Sequence, residues 1–123
     1  FITGCILTPH SREFERLTSG SATVENAQSF SEKFNCIVVL KGASTHVITP
    51  AAIFQNTTGN VALATGGSGD VLTGIIAGFL AQGLPPADAA TAGVFVHGLT
   101  ADLATVNSSR RSFIASDILR YLG

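Results

Sequence analysis

An aspartate that directly follows a run of glycines and directly precedes an apolar stretch is an arrangement that can hold an anion and move a proton beside it. Here the run is Thr65-Gly66-Gly67-Ser68-Gly69-Asp70. Glycines let the backbone come close to a ligand, and the open N–H groups of a following helix would point at it. A phosphoryl group developing charge there would meet oriented donors. The run lacks the Gly-Lys-Ser/Thr ending of a P-loop. Asp70 can act as a general base, taking the proton of a substrate hydroxyl as its oxygen attacks phosphorus. The positive end of the helix favours its charged form, which makes it an available but weak base. The glycine spacing alone is equally served by a tight strand-to-helix turn in which Asp70 only complements the helix dipole.

Two further segments offer partners for such a ligand. Lys41-Gly42-Ala43-Ser44-Thr45 follows a buried strand, at the carboxyl end where open α/β sheets place their ligands, and Lys41 could pair with a phosphate. His10, after Thr8-Pro9, stands at the end of another strand, so all three segments can meet along one edge of a sheet. Glu13 is either a first-turn residue stabilised by the helix dipole or an aid in orienting a ligand. His97, within an apolar helix, and His46, at the start of a strand, read as structural.

The elements that must position these residues follow from hydrophobic periodicity. Ile6-Leu7-Thr8 reads as a strand stopped by Pro9, and 10–17 as a short helix with apolar Phe14 and Leu17 at helical spacing among charged residues. Val24, Ala27, Phe30 and Phe34 recur at helical spacing in 23–34, capped by Ser21 or Thr23. Cys36-Ile37-Val38-Val39-Leu40 has the continuous β-branched character of a strand covered on both faces. His46-Val47-Ile48-Thr49 and Ala52-Ile53-Phe54-Gln55 flank Pro50 as a hairpin or an extended excursion. After Val61-Ala62-Leu63-Ala64, residues 71–82 form a helix with Ile75, Ile76, Phe79 and Leu80 on its apolar side, ended by Gly83 and Pro85-Pro86. Residues 87–106 form an Ala-rich helix with small residues nearly all round, as a helix enclosed by neighbours would have. A last helix covers 116–122. Strands alternating with helices predict an α/β layered fold with a mostly parallel sheet flanked by helices.

The composition narrows the partners. The 123 residues are 46% hydrophobic and 12% charged, against roughly 25% charged in an average soluble domain. Seven basic and eight acidic side chains give a formal net charge of -1, so no broad basic surface is offered to nucleic acid or to an anionic membrane. The longest apolar stretch, 71–81, is interrupted by Thr73, Gly74 and Gly78 and falls short of the roughly 20 residues that span a bilayer. The low charge predicts that part of the surface meets another chain or segment, as in a homo-oligomer. Cys5 and Cys36, far apart and without ligand spacing, read as buried thiols in a reducing, cytoplasmic compartment and not as a zinc site.

Taken together, Thr8-Pro9-His10-Ser11-Arg12-Glu13-Phe14-Glu15-Arg16-Leu17, Val38-Val39-Leu40-Lys41-Gly42-Ala43-Ser44-Thr45, Gly66-Gly67-Ser68-Gly69-Asp70-Val71-Leu72-Thr73-Gly74 and Gly93-Val94-Phe95-Val96-His97-Gly98 resemble the ADP/ATP-dependent NAD(P)H-hydrate dehydratases of the ribokinase-like superfamily. The resemblance implies repair of hydrated NADH or NADPH: a nucleotide phosphoryl group activates the hydroxyl on the damaged nicotinamide ring, and its loss restores the double bond. By that resemblance Asp70 is the catalytic base, and His10 and Asp70 contact the hydrated dinucleotide. Lys41, Gly42, Ala43, Ser44, Thr45, Gly66, Gly67 and Gly69 contact the adenine nucleotide. ADP or ATP is the co-substrate and Mg2+ bridges its phosphates, with no metal-ligating residues assigned in the chain. Ser11-Arg12 stands where the family usually has Pro-Gly, and Asn60-Val61-Ala62-Leu63 where it often has Asn-Pro-Gly-Met. The resemblance also implies that residues 1–123 are a single partial domain, the C-terminal portion of a ribokinase-like domain truncated at its N-terminus. Two other readings compete: a ribokinase-like kinase for a small alcohol, and a catalytically incomplete nucleotide-binding half-domain.

Overall fold

The computed structural model describes residues 4–59 and 68–107, with the backbone alone for 105–107. Three layers form it. A four-stranded sheet, in the order β1 (Ile6–Leu7), β2 (Ile37–Leu40), β3 (His46–Ile48), β4 (Ile53–Gln55), lies between two helix pairs. On one side are α1 (Ser11–Thr18) and α2 (Val24–Phe34), and on the other α3 (Ser68–Ala81) and α4 (Pro86–Asn107).

The strand period of two explains why β2 is apolar throughout. Ile37 and Val39 pack with Val47 against Leu72 and Ile76 of α3 and Ala89, Ala90 and Val94 of α4. Cys36, Val38 and Leu40 point the other way, with Ile48, onto Phe14 and Ala27. Phe14 is fully buried and meets Phe30 edge-on at 6.1 Å; burial of such a ring contributes roughly 2 to 3 kcal/mol. Thr23 caps α2 by accepting the Asn26 N–H, the second of the two caps expected. Gly83, at φ +95, turns the chain after α3, and Pro86 occupies the first position of α4, where its missing N–H costs nothing.

The α/β layering is the expected one, but the sheet is not mostly parallel among the described strands. β1 and β2 are parallel, with Ile6 opposite Ile37, whereas β2–β3 and β3–β4 are antiparallel. The reason is loop length: residues 41–45 and 49–52 are too short for the crossover that parallel neighbours need. Residues 49–52 close a tight hairpin, in which the Thr49 hydroxyl accepts the N–H groups of Ala51 and Ala52.

Three other expectations are corrected. α3 begins at Ser68, so Asp70 lies inside its first turn, and its buried positions are Leu72 and Ile76, with Leu80 exposed. α4 is not enclosed all round: Phe95 (46% exposed), Leu99 and Leu103 (50%) stand out on one side, while the small residues face α3. Gly93 there allows an approach so close that an added Cβ would lie 2.6 Å from Ile76 Cγ1. Of the two thiols only Cys36 is buried, and Cys5 is exposed. The Val61-Ala62-Leu63-Ala64 segment and the 116–122 helix lie outside the described residues.

Candidate active site

The site is built where β1 and β2 end. Pro9 interrupts the ladder because it has no N–H to donate, yet its carbonyl accepts the Lys41 N–H at 2.9 Å, and His10 and Lys41 form one further parallel bridge. His10 thereby becomes the N-cap of α1. Its Nδ1 accepts the Glu13 N–H at 3.3 Å, and its own N–H donates to Glu13 Oε1 at 2.9 Å, a reciprocal capping box. With Nδ1 accepting, Nε2 is the position that carries the proton of the neutral ring, and it lies 3.5 Å from Glu13 Oε1. The His10 amide holds the Glu13 carboxyl below its ordinary range, aided by the positive charges of Lys41 and Arg16. Glu13 is therefore a first-turn helix residue that also orients His10. Ser11 and Arg12, which depart from the family pattern, are exposed in that same first turn.

α3 meets this edge with its N-terminus. An added Cβ at Gly69 would lie 2.8 Å from Lys41 Nζ, so the ammonium rests close against the bare backbone of Gly69. The Thr8 and Thr73 hydroxyls are 3.4 Å apart, a second tie between the end of β1 and α3. Asp70 is exposed in the first turn beside Gly69. His10, Lys41, Gly69 and Asp70, separate in sequence, are thus brought to one edge of the sheet. Gly66 and Gly67 lie outside the described residues.

The 41–45 segment is the turn of a β-hairpin and not an exit toward a parallel neighbour. Gly42, Ala43 and Ser44 are exposed, and β4 braces them from behind: Gln55 Nε2 donates to Ser44 Oγ at 3.2 Å, and the Asn56 N–H donates to the Thr45 carbonyl. His46 begins β3, opposite Leu40 and Gln55, as its structural reading requires.

His97 is more than a core residue. It is 6% exposed, and its Nε2 lies 3.1 Å from the hydroxyl of Ser68, the first residue of α3, itself 3% exposed. Burial pushes its pKa down to about 4; Ser68 opposes that shift and Lys41 adds to it. Unfolding frees the ring to titrate near 6.5, so the unfolded chain binds the extra proton first. Stability due to neutral His97 is then complete above about pH 6.5 and is lost as pH falls toward 4. Urea unfolding at stepped pH is expected to show that decline, and His97→Gln to flatten it. Periodicity could not find this pair: it places His97 on a helix face but does not name a partner 29 residues earlier.

The edge can accept a phosphorylated ligand. It offers an ammonium, the first turn of a helix next to a residue without a side chain, and an exposed carboxylate able to take a proton. Among the described residues no three His, Cys, Asp or Glu side chains gather to hold a metal. No described helix is long and apolar enough to cross a membrane.

Residues 3–123 fit the sequence family described as NAD(P)H-hydrate dehydratase. The chain is 40% identical over 124 residues to a bifunctional NAD(P)H-hydrate repair enzyme of Moorella thermoacetica, covering 95% of this chain and 23% of that protein. It superposes with a TM-score of 0.88 and 35% identity on the ADP/ATP-dependent NAD(P)H-hydrate dehydratase of Bacillus subtilis co-crystallised with ATP/Mg2+, over 97% of this chain and 47% of that one. A ribokinase-like superfamily protein of Enterococcus faecalis superposes at a TM-score of 0.78 with 33% identity, over 95% of this chain and 44% of its own. The chain thus spans about a quarter of the repair enzyme and somewhat under half of each solved structure.

Proposed function

Because this chain belongs to the NAD(P)H-hydrate dehydratase family, we propose that it carries the nucleotide-binding part and the base of a site that dehydrates hydrated NADH or NADPH with ADP or ATP as co-substrate. The observation that carries this reading is the convergence at one sheet edge: His10 bridged to Lys41, and Lys41 Nζ lodged against Gly69 at the start of α3. Lys41 and the 42–45 turn hold the phosphates, with Gly66, Gly67 and Gly69 giving the backbone close approach. His10 contacts the hydrated dinucleotide. Asp70 takes the proton of the ring hydroxyl as its oxygen bonds to the terminal phosphorus and the bond to the nucleotide's bridging oxygen breaks. Departure of phosphate and of a neighbouring ring proton then restores the double bond. Mg2+ on the phosphates supplies charge neutralisation as that group transfers.

Self-association belongs to the same reading, supported by Phe95, Leu99 and Leu103, which recur every four residues on the exposed side of α4, and by β4, which carries exposed Ile53 and Phe54 and is an edge among the described strands. So does a cytoplasmic location, since Cys5 and Cys36, which immediately precede the paired Ile6 and Ile37, form no disulfide.

The test is recovery of the reduced-nicotinamide absorbance when the chain is mixed with hydrated NADH, Mg2+ and ADP or ATP. Nucleotide-dependent recovery is the expected result. A phosphorylated alcohol without recovery would turn the reading to a kinase. Nucleotide binding without either would turn it to an incomplete half-domain, which the coverage of less than half of the Bacillus subtilis enzyme favours as the second reading.

A further inference from the structure

The N-terminus of α3 is fastened from behind as well as presented in front. On its outer side Gly69 faces the Lys41 ammonium. On its inner side the buried Ser68 hydroxyl pairs with the buried ring of His97 at 3.1 Å. His97 is in turn fixed along α4, whose helical course there includes the Thr100 hydroxyl donating to the His97 carbonyl at 2.8 Å. A helix end frays unless its first turn is tied down, and an anion cradle one turn long is only as accurate as the position of that turn.

We propose that His97 is a positioning residue: through the Ser68 hydroxyl it sets the first turn of α3 against Lys41, and so determines how tightly the nucleotide phosphates are held. The inference rests on the nucleotide reading of the site given above. His97 touches no ligand; it acts through Ser68. Its neutrality matters because Lys41, from the end of β2, is a cation that already bears on it. A second positive charge at His97 would oppose Lys41. Burial keeps the ring neutral, with its pKa at about 4. A surface-facing histidine in the same helix would do neither task, and a purely apolar residue would leave the Ser68 hydroxyl buried without this partner.

The experiment is calorimetric titration of the chain with Mg-ADP, beside its thermal melting, for the wild type, His97→Gln, His97→Leu and Ser68→Ala. Glutamine can restore a polar atom near Nε2, and leucine cannot. The expected result is a Kd raised at least tenfold in His97→Leu and in Ser68→Ala, with His97→Gln within threefold of wild type. The double variant Ser68→Ala/His97→Leu is expected to be no weaker than the worse single, because both remove one contact. If His97→Leu does not fold, Ser68→Ala, which removes a single buried hydroxyl, decides by the same criterion. Lowered melting temperatures with Kd unchanged would make the pair purely structural and overturn the proposal while leaving the nucleotide reading intact. A wild type that melts cooperatively but does not bind Mg-ADP would overturn the nucleotide reading, and this inference with it.

Discussion

Asp70→Asn is expected to lower turnover by about 10³-fold while nucleotide affinity changes less than threefold, the scale of a lost general base. The substitution is nearly isosteric and the residue is exposed in the first turn of α3, so neither packing nor the helix itself depends on the carboxylate. What changes is its capacity to take a proton from a hydroxyl. Removing a negative charge at the helix N-terminus gives up only about 0.3 to 1 kcal/mol of helix stability and at the same time relieves repulsion of an incoming phosphate, so these contributions to binding are small and opposed. Single-turnover assays beside calorimetry of Mg-ADP binding separate the two effects. An equal fall in both would make Asp70 a structural residue of the turn and remove the base from the proposed reaction.

Gly98→Ala is expected to cost about 3 kcal/mol or more, read as a shifted urea midpoint at constant slope. The chain of residues 56–59 lies across α4 at that point. Thr58 Oγ1 donates to the Phe95 carbonyl at 2.9 Å, and the Gly59 N–H donates to Asp102 Oδ2 at 3.0 Å. Between those two contacts, a Cβ on Gly98 would come within 2.7 Å of the Thr58 carbonyl carbon and 2.8 Å of the Gly59 nitrogen. Both are backbone atoms, which cannot swing aside as a side-chain tip does. The alanine therefore has to push the loop off the helix and lose both hydrogen bonds. Gly69→Ala differs, since the atom it would meet is the flexible end of Lys41. A change in stability below about 0.5 kcal/mol for Gly98→Ala would mean that the loop does not rest on the helix in solution.

Much of this arrangement was legible in the residues themselves. The helices 10–17 and 23–34 declared themselves by apolar spacing, and the continuous apolar run of β2 correctly implied cover on both faces. The meeting of His10, Lys41 and the Gly69-Asp70 turn followed from each standing at the end of an element. The β3–β4 hairpin across Pro50 was one of the two readings its flanks allowed, but the antiparallel pairing of β2 with β3 did not follow, because alternation with helices suggests parallel pairing and only the shortness of 41–45 overrides it. Nor did the exposed side of α4: its alanines and glycines mark close approach to α3, the sheet and the 56–59 loop, and leave the side that carries Phe95, Leu99 and Leu103 uncovered among the described residues. The Ser68–His97 and Thr8–Thr73 contacts join residues 29 and 65 apart, which no local pattern encodes.

α4 presents five of these features within ten residues: Gly93 against Ile76, the Phe95 carbonyl and Gly98 under the loop, His97 behind Ser68, and Asp102 at the Gly59 amide. Each depends on a particular angle around one helix axis. Inserting or deleting a single residue turns everything downstream by about 100° and slides it about 1.5 Å. A change of length between Phe95 and Gly98 would therefore break at least two of them together, even if every side chain were retained. Change in this stretch is therefore expected to come by substitution, whereas the exposed Pro50–Ala51 tip of the hairpin after β3 can lengthen without disturbing any of them.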